Sequence, residues 1–161
     1  MTVSVGDTLP AATFRKMTAD GPAEAPSSEV FAGKVAVFAV PGAFTPTCHE
    51  RHLPTFTKNA ESLKGKGVDR IVCLSVNDPF VMGAWAKATA ADAAGIEMLG
   101  DSDAAFTKAI GMDFDGAAVG LGVRSKRYAM LVEDGVVTWL AVEDSPGEAE
   151  KTTAEAMLAA M

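Results

Sequence analysis

Apolar and polar residues follow two spacings along this chain, and the spacings predict strands and helices in alternation. Residues 35–40 form an unbroken apolar run, which is typical of a strand covered on both faces. A stripe of apolar residues at helical spacing then predicts a helix over residues 46–64. The stripe consists of Leu53, Phe56, Ala60 and Leu63.

The rest of the chain continues the alternation. Further apolar runs predict strands, over residues 71–76, 96–99, 127–132 and 136–142. Further helical spacings predict helices, over residues 78–88 and 103–110 and from about Thr152, where Thr152 and Glu155 are spaced as a capping box. Glu133-Asp134-Gly135 predicts a hairpin turn between the last two strands. Residues 12–17 suggest a short strand, and residues 21–26 are expected to form a turn region.

The predicted order is strand, helix, strand, helix, then a hairpin and a final helix, with one strand and helix inserted before the hairpin. This is the order of a thioredoxin-like fold, an α/β architecture with a central mixed β-sheet flanked by helices. A chain of 161 residues suits one core, so we expect a single domain over residues 1–161.

Composition and charge exclude several classes of protein. Hydrophobic residues make up 48% and charged residues 22%, which argues against a disordered chain. The net charge of -7 argues against nucleic acid as a partner, because binding to phosphates needs a basic face. No signal peptide or membrane-spanning segment is visible, which predicts a soluble cytoplasmic protein.

Cys48 is the strongest candidate for chemistry. Pro41-Gly42 ends the first buried strand, Thr45 suits the N-cap of the next helix, and Pro46 suits its first position. Cys48 is then the third helical residue, where backbone amides are free and about half a positive charge resides. This position favours a thiolate, and we expect the thiol to be accessible.

Three segments share order and spacing with a known family. Residues 40–48 contain the pattern Pro-x-x-x-Thr-x-x-Cys, residues 73–82 are followed by Ala84-Trp85, and residues 124–130 read Arg-Ser-Lys-Arg-Tyr-Ala-Met. These segments resemble the type II peroxiredoxins of the thioredoxin-like superfamily, and the resemblance covers residues 3–160.

The resemblance implies a thiol-dependent peroxidase that reduces hydrogen peroxide and organic hydroperoxides through a sulfenic acid on Cys48, with no metal or organic cofactor. It implies three further catalytic residues, which are Thr45, Arg127 and Pro41, the last as a shield of the sulfur from water. Residues expected to contact the substrate are Thr47, Phe44 and Gly42. From its position alone Arg127 is a solvated strand residue, but the resemblance directs it at the sulfur; Arg124 is the second candidate.

The second cysteine is expected to be structural. Cys73 lies in mid-strand, about four residues back from the level of Cys48, or roughly 13 Å, which exceeds the ~7 Å limit for a disulfide. No cysteine follows Cys73 to resolve the sulfenic acid. The resemblance then implies an external reductant, either glutathione with glutaredoxin or thioredoxin.

Several alternatives stay open. His49 and His52 suggest a metal site, but zinc would need two more ligands, so a supporting polar role for His52 is favoured. A thioredoxin-like disulfide reductase would have a cysteine in place of Thr45, and a chaperone or redox-relay role needs no enzyme activity. The resemblance also implies a homodimer, whose contact would include Phe44, Phe80 and Trp85.

Overall fold

A computed structural model describes residues 2–161. The described residues form nine strands: β1 Thr13–Thr18, β2 Gly21–Pro26, β3 Lys34–Val40, β4 Arg70–Ser75, β5 Ile96–Gly100, β6 Asp113–Asp115, β7 Val123–Ser125, β8 Tyr128–Glu133 and β9 Val136–Val142. They also form five α-helices: α1 Ser27–Val30, α2 Leu53–Gly65, α3 Pro79–Thr89, α4 Ala105–Ala109 and α5 Ala154–Ala159. None of these helices is long and apolar enough to cross a membrane.

Seven strands form one mixed sheet in the order β2-β1-β5-β4-β3-β8-β9. Strands β3, β4 and β5 are parallel, and the remaining pairs are antiparallel. A central mixed sheet flanked by helices is the architecture that the sequence predicted. Strands β6 and β7 form a separate small hairpin sheet.

Strand β3 lies at the centre of the molecule and contributes to two cores. Ala36, Phe38 and Val40 pack on one face with side chains of α2, α3 and α5. Val35, Val37 and Ala39 pack on the other face with α1, α4 and the N-terminal strands. Because successive side chains of a strand point to opposite faces, an unbroken apolar run fills both cores at once.

Two predicted elements differ from the structure. Residues 21–26 were expected to form a turn region, but they form β2, which pairs along its length with β1. Pro22 and Pro26 lack an N–H, and a strand at the sheet edge tolerates this because only one side needs ladder bonds. The last helix is capped by Thr153 rather than Thr152, because the Thr153 hydroxyl accepts from the Ala156 amide.

Candidate active site

The sheet register brings Arg127 to the loop that carries Cys48. Ala39 of β3 pairs with Tyr128 of β8, so Arg127, which precedes β8, lies beside the carboxyl end of β3 where the loop begins. Its Nη2 donates to Cys48 Sγ at 3.1 Å. The two residues predicted to act together are therefore in direct contact, although they are far apart in the chain.

The helix that carries Cys48 begins as predicted but does not continue as a regular α-helix. It starts at Pro46, and a π-helical turn over Cys48–His52 precedes α2. Pro54 lacks an N–H and its ring would crowd the carbonyl one turn back, so a wider turn before it accommodates the break. π-Helical turns are rare in proteins, and those that occur are often located at functional sites. Pro54 was the sequence signal for this irregularity.

Thr45 occupies the N-cap position through its backbone. The first helical hydrogen bond runs from the His49 amide to the Thr45 carbonyl at 2.9 Å. The amides of Thr47 and Cys48 precede that bond, so an acceptor outside the helix has to satisfy them. The Thr45 hydroxyl donates to the Gly42 carbonyl at 2.7 Å instead of capping the helix. Because the hydroxyl has only one proton and donates it to Gly42, the Thr45 oxygen can only accept a further hydrogen bond.

Two residues from other elements brace the loop between β3 and the helix. Arg124 Nη1 donates to the Pro41 carbonyl at 3.1 Å, and Asn77 Oδ1 accepts from the Ala43 amide at 3.1 Å. A Cβ added at Gly42 would lie 2.5 Å from Arg124 Nη1, so the bracing needs a glycine there. Arg124, the second candidate for the sulfur contact, holds the loop instead.

Arg127 is buried and not solvated as its strand position alone suggested, and its side chain faces the sulfur as the resemblance implied. Besides its contact with the sulfur, its guanidinium donates to the Pro146 carbonyl from Nε and Nη2, at 3.3 and 2.9 Å, and from Nη1 to His52 Nδ1 at 2.9 Å. No ion pair among residues 2–161 includes Arg127. Neutral groups fix the guanidinium without cancelling its charge, so the positive charge remains available to the sulfur.

His52 is a component of the site whose role the sequence indicated only loosely. It is buried, its Nε2 lies 2.8 Å from the Thr152 carbonyl, and its Nδ1 faces Arg127. Because the carbonyl only accepts and the guanidinium only donates, the proton resides on Nε2. Burial and the Arg127 charge lower the pKa of His52 from 6.5 to about 3, so the ring is neutral.

Cys48 was expected to be accessible, but only 1% of its surface is exposed. Arg127 lies against its sulfur, and Pro146 binds that arginine from the segment between β9 and α5. The Thr47 hydroxyl reaches the next residue of this segment, Gly147, at 3.4 Å. A segment about a hundred positions away along the chain covers the first turn, which the helix pattern could not reveal.

Known proteins resemble the chain over nearly its whole length. The Redoxin family matches residues 4–158. The chain is 47% identical to Peroxiredoxin-2E-2, chloroplastic, of Oryza sativa subsp. japonica, over 99% of this chain and 73% of that protein. It is 42% identical to Peroxiredoxin-2B of Arabidopsis thaliana, over 99% and 98% of the two chains. The structure of reduced Prx3 in complex with H2O2 from Vibrio vulnificus has a TM-score of 0.92 and 51% identity, over 99% and 96% of the two chains.

The chain belongs to the type II peroxiredoxins. It is a thiol-dependent peroxidase, as the resemblance implied. Peroxide reduction by this peroxiredoxin is therefore considered in relation to the contact between Cys48 and Arg127. The residue roles themselves remain predictions.

Aromatic side chains border the loop of this peroxiredoxin on one side. Phe44 is 50% exposed and stacks on His49, with ring centroids 5.9 Å apart. Trp85 is buried and its Nε1 donates to His49 Nδ1 at 3.0 Å, which ties α3 to the Cys48 turn. Phe80 is 62% exposed. Of the three aromatic residues assigned to a dimer contact, Phe44 and Phe80 are thus available at the surface, whereas Trp85 belongs to the core.

Cys73 of the peroxiredoxin is a free, fully buried thiol, and Cys48 is also free. It lies in β4, paired with Phe38 on one side and Met98 on the other. Burial raises the pKa of the Cys73 thiol well above its ordinary value, and the nearby Cys48 adds to the rise.

Within residues 2–161, no cluster of three or more histidine, cysteine or acidic residues could hold a metal ion.

Proposed function

We propose that Cys48 is the nucleophile of this peroxidase. Its thiolate attacks the O–H oxygen of a hydroperoxide ROOH, a sulfur–oxygen bond forms and the O–O bond breaks. The leaving RO⁻ takes up a proton to become ROH, which is water when the substrate is hydrogen peroxide. Sulfur is oxidised to a sulfenic acid, and the peroxide is reduced.

The difficulty of this step is the negative charge that spreads over sulfur and both oxygens. The single observation that carries the proposal is the 3.1 Å contact between Arg127 Nη2 and Cys48 Sγ, because it puts a permanent cation beside the group of atoms over which this charge spreads. The amides of Thr47 and Cys48 supply further donors for the peroxide oxygens. The Thr45 oxygen, left as an acceptor, would bind the O–H of the peroxide and orient it.

The loop residues contribute to substrate access. Pro41 would shield the sulfur from water, and its carbonyl is held by Arg124. Gly42 allows that close approach, and the half-exposed Phe44 would form the outer wall of the substrate channel. Hydrogen peroxide and small organic hydroperoxides are the proposed substrates, on the grounds of the similarity to known peroxiredoxins.

We further propose that an outside thiol reduces the sulfenic acid. Cys73 is buried in the sheet, with a raised pKa that opposes the thiolate, and no other cysteine exists in the sequence. Glutathione would form a mixed disulfide with Cys48 and release water, and glutaredoxin would return the free thiol; thioredoxin is the other candidate. A homodimer with Phe44 and Phe80 near its contact is proposed from the resemblance to the peroxiredoxins. A cytoplasmic location stays a prediction from the sequence.

Peroxide consumption with each reductant in turn tests these proposals. We expect turnover of hydrogen peroxide and of a small organic hydroperoxide with glutathione and glutaredoxin, and mass spectrometry should find one glutathione on Cys48. Turnover with thioredoxin but not with glutathione and glutaredoxin would show that thioredoxin is the reductant. The proposal that Cys48 is the nucleophile would still hold. A dominant bridge between Cys48 and Cys73 would contradict the need for an outside thiol.

A further inference from the structure

Glu143 is a buried carboxylate at the end of β9 that closes the segment leading to α5. Its Oε2 accepts from the amides of Glu150, Lys151 and Thr152, each at 2.9 Å, and from the Thr152 hydroxyl at 2.7 Å. The other oxygen, Oε1, is buried and has no hydrogen-bond partner among residues 2–161. One charged group therefore binds both ends of the segment 143–152 together.

The segment closed in this way supplies the groups that hold Arg127. The Pro146 carbonyl accepts from Nε and Nη2 of the arginine, and the Thr152 carbonyl accepts from His52, which in turn accepts from Nη1. Every hydrogen bond of the guanidinium other than the one to sulfur thus leads to this segment. The Glu143 amide also donates to the Arg127 carbonyl at 3.0 Å.

The charge of Glu143 is kept off the arginine. Had a carboxylate bound Arg127 directly, it would have neutralised the charge that faces the sulfur. Glu143 instead binds backbone amides. The Pro146 carbonyl and the neutral His52 imidazole, which is itself bound to the Thr152 carbonyl, then hold the guanidinium in place. A carboxylate with several charge-assisted hydrogen bonds gives a rigid anchor, because each such bond is stronger than one between neutral groups.

We propose that Glu143 is a positioning residue for Arg127, acting through the segment 143–152 and His52 to hold the guanidinium against Cys48 Sγ. The inference rests on the proposed role of Arg127 in peroxide reduction. It assigns a catalytic consequence to a residue that touches neither the sulfur nor the substrate.

The test is Glu143→Gln, which keeps the size of the side chain and removes its charge. The matched control is Asp101→Asn. Asp101 is also buried, and it accepts from the Phe106 and Thr107 amides and the Thr107 hydroxyl in α4, so none of these hydrogen bonds leads to Arg127. The rate of sulfenic acid formation with hydrogen peroxide and the thermal unfolding midpoint are measured for both, alone and combined with Arg127→Met.

Both variants should lower the unfolding midpoint, but only Glu143→Gln should slow peroxide reduction, by about tenfold, since small displacements of catalytic groups have effects of this order. It should also raise the midpoint of the thiolate absorbance titration, which a purely structural role would not change. Combined with Arg127→Met, Glu143→Gln should cause no further loss of rate, because it acts through that arginine.

A wild-type rate in folded Glu143→Gln, or the same loss on the Arg127→Met background, would overturn the inference. If Glu143→Gln does not fold, Thr152→Val decides: it removes one donor to Glu143, and we expect a loss of about threefold that vanishes on the same background. An unchanged Thr152→Val rate overturns the inference too. A wild-type rate in Arg127→Met alone would instead show that the proposed function of Arg127 is wrong.

Discussion

Cys48 and Cys73 are both buried free thiols of the same core, yet they differ in their backbone position and in the donors that contact the sulfur. Cys73 is in the middle of β4, which is paired with β3 on one side and β5 on the other. The residues it pairs with there carry no hydrogen-bond donor in their side chains. Cys48 lies beyond the strand end, in a helical first turn, with a guanidinium on its sulfur. A cation in contact with the sulfur and free helix amides nearby are the surroundings typical of reactive cysteines, and Cys73 has neither.

The largest effect should come from exchanging the cysteines for serine one at a time. Cys48→Ser removes the nucleophile and should abolish peroxidase activity, whereas Cys73→Ser should keep most of it. Peroxide consumption with a saturating reductant measures both. Equal loss in the two variants would show that the single-cysteine mechanism is wrong.

Alkylation should separate the two thiols kinetically. In the reduced native protein, iodoacetamide should modify Cys48 at least about a thousandfold faster than Cys73, because burial raises the pKa of Cys73 and its strand is paired on both sides. Peptide mass spectrometry of a time course measures both rates. Denaturant should make Cys73 react readily; rapid native modification of Cys73 would mean that β4 opens easily.

Arg127→Met removes the cation that distinguishes the two sites. Peroxide reduction should slow by about a hundredfold or more, as expected for loss of a donor at a site of developing charge. The control is Arg124→Met, which removes the hydrogen bond to the Pro41 carbonyl but keeps the contact between Arg127 and the sulfur. Its rate of peroxide reduction should fall much less. The reverse ranking would show that Arg124 is the catalytic arginine. The slow reaction of Cys73 with iodoacetamide should become no faster in either variant, because the charge of Arg127 lowers the pKa of Cys73 and its loss cannot favour the thiolate.

His52 should make the stability of the Cys48 site sensitive to acid. The folded pKa of about 3 lies below the ordinary 6.5, so the unfolded chain binds more protons between these values. The stability due to neutral His52 is complete above about pH 6.5 and is lost as the pH falls toward about 3. His52→Asn should flatten the pH dependence of the unfolding free energy in that window, measured by urea titration. An unchanged dependence would mean that another group titrates there.

Gly42→Ala should have the smallest effect. Its Cβ would displace the Arg124 guanidinium from the Pro41 carbonyl, but that side chain is flexible and can move. We expect peroxide reduction to slow by only about threefold, with little change in stability. Steady-state kinetics against Arg124→Met provide the comparison. If Gly42→Ala were as slow as Arg127→Met, the loop geometry would matter more than the cation.

The local features of the site followed from local rules. The apolar run of β3, its end at Pro41, and the helix start at Pro46 involve neighbours in sequence, so spacing and turn chemistry were sufficient to predict them. The resemblance of residues 40–48 then pointed to peroxide chemistry at Cys48. Even so, the π-helical turn was missed, because a helical stripe does not reveal how a proline one turn later is accommodated.

Only the tertiary structure decided how the sulfur is surrounded. The pairing of β3 with β8 determines that Arg127 reaches Cys48, and strand register depends on the packing of both sheet faces rather than on either segment alone. His52 lies beside the carbonyl of Thr152, 100 positions further along the chain, and the Pro146 carbonyl accepts from Arg127. Both contacts involve backbone carbonyls, which carry no side-chain identity. A pattern of residue types cannot encode such contacts, because they exist only once the chain has closed on itself.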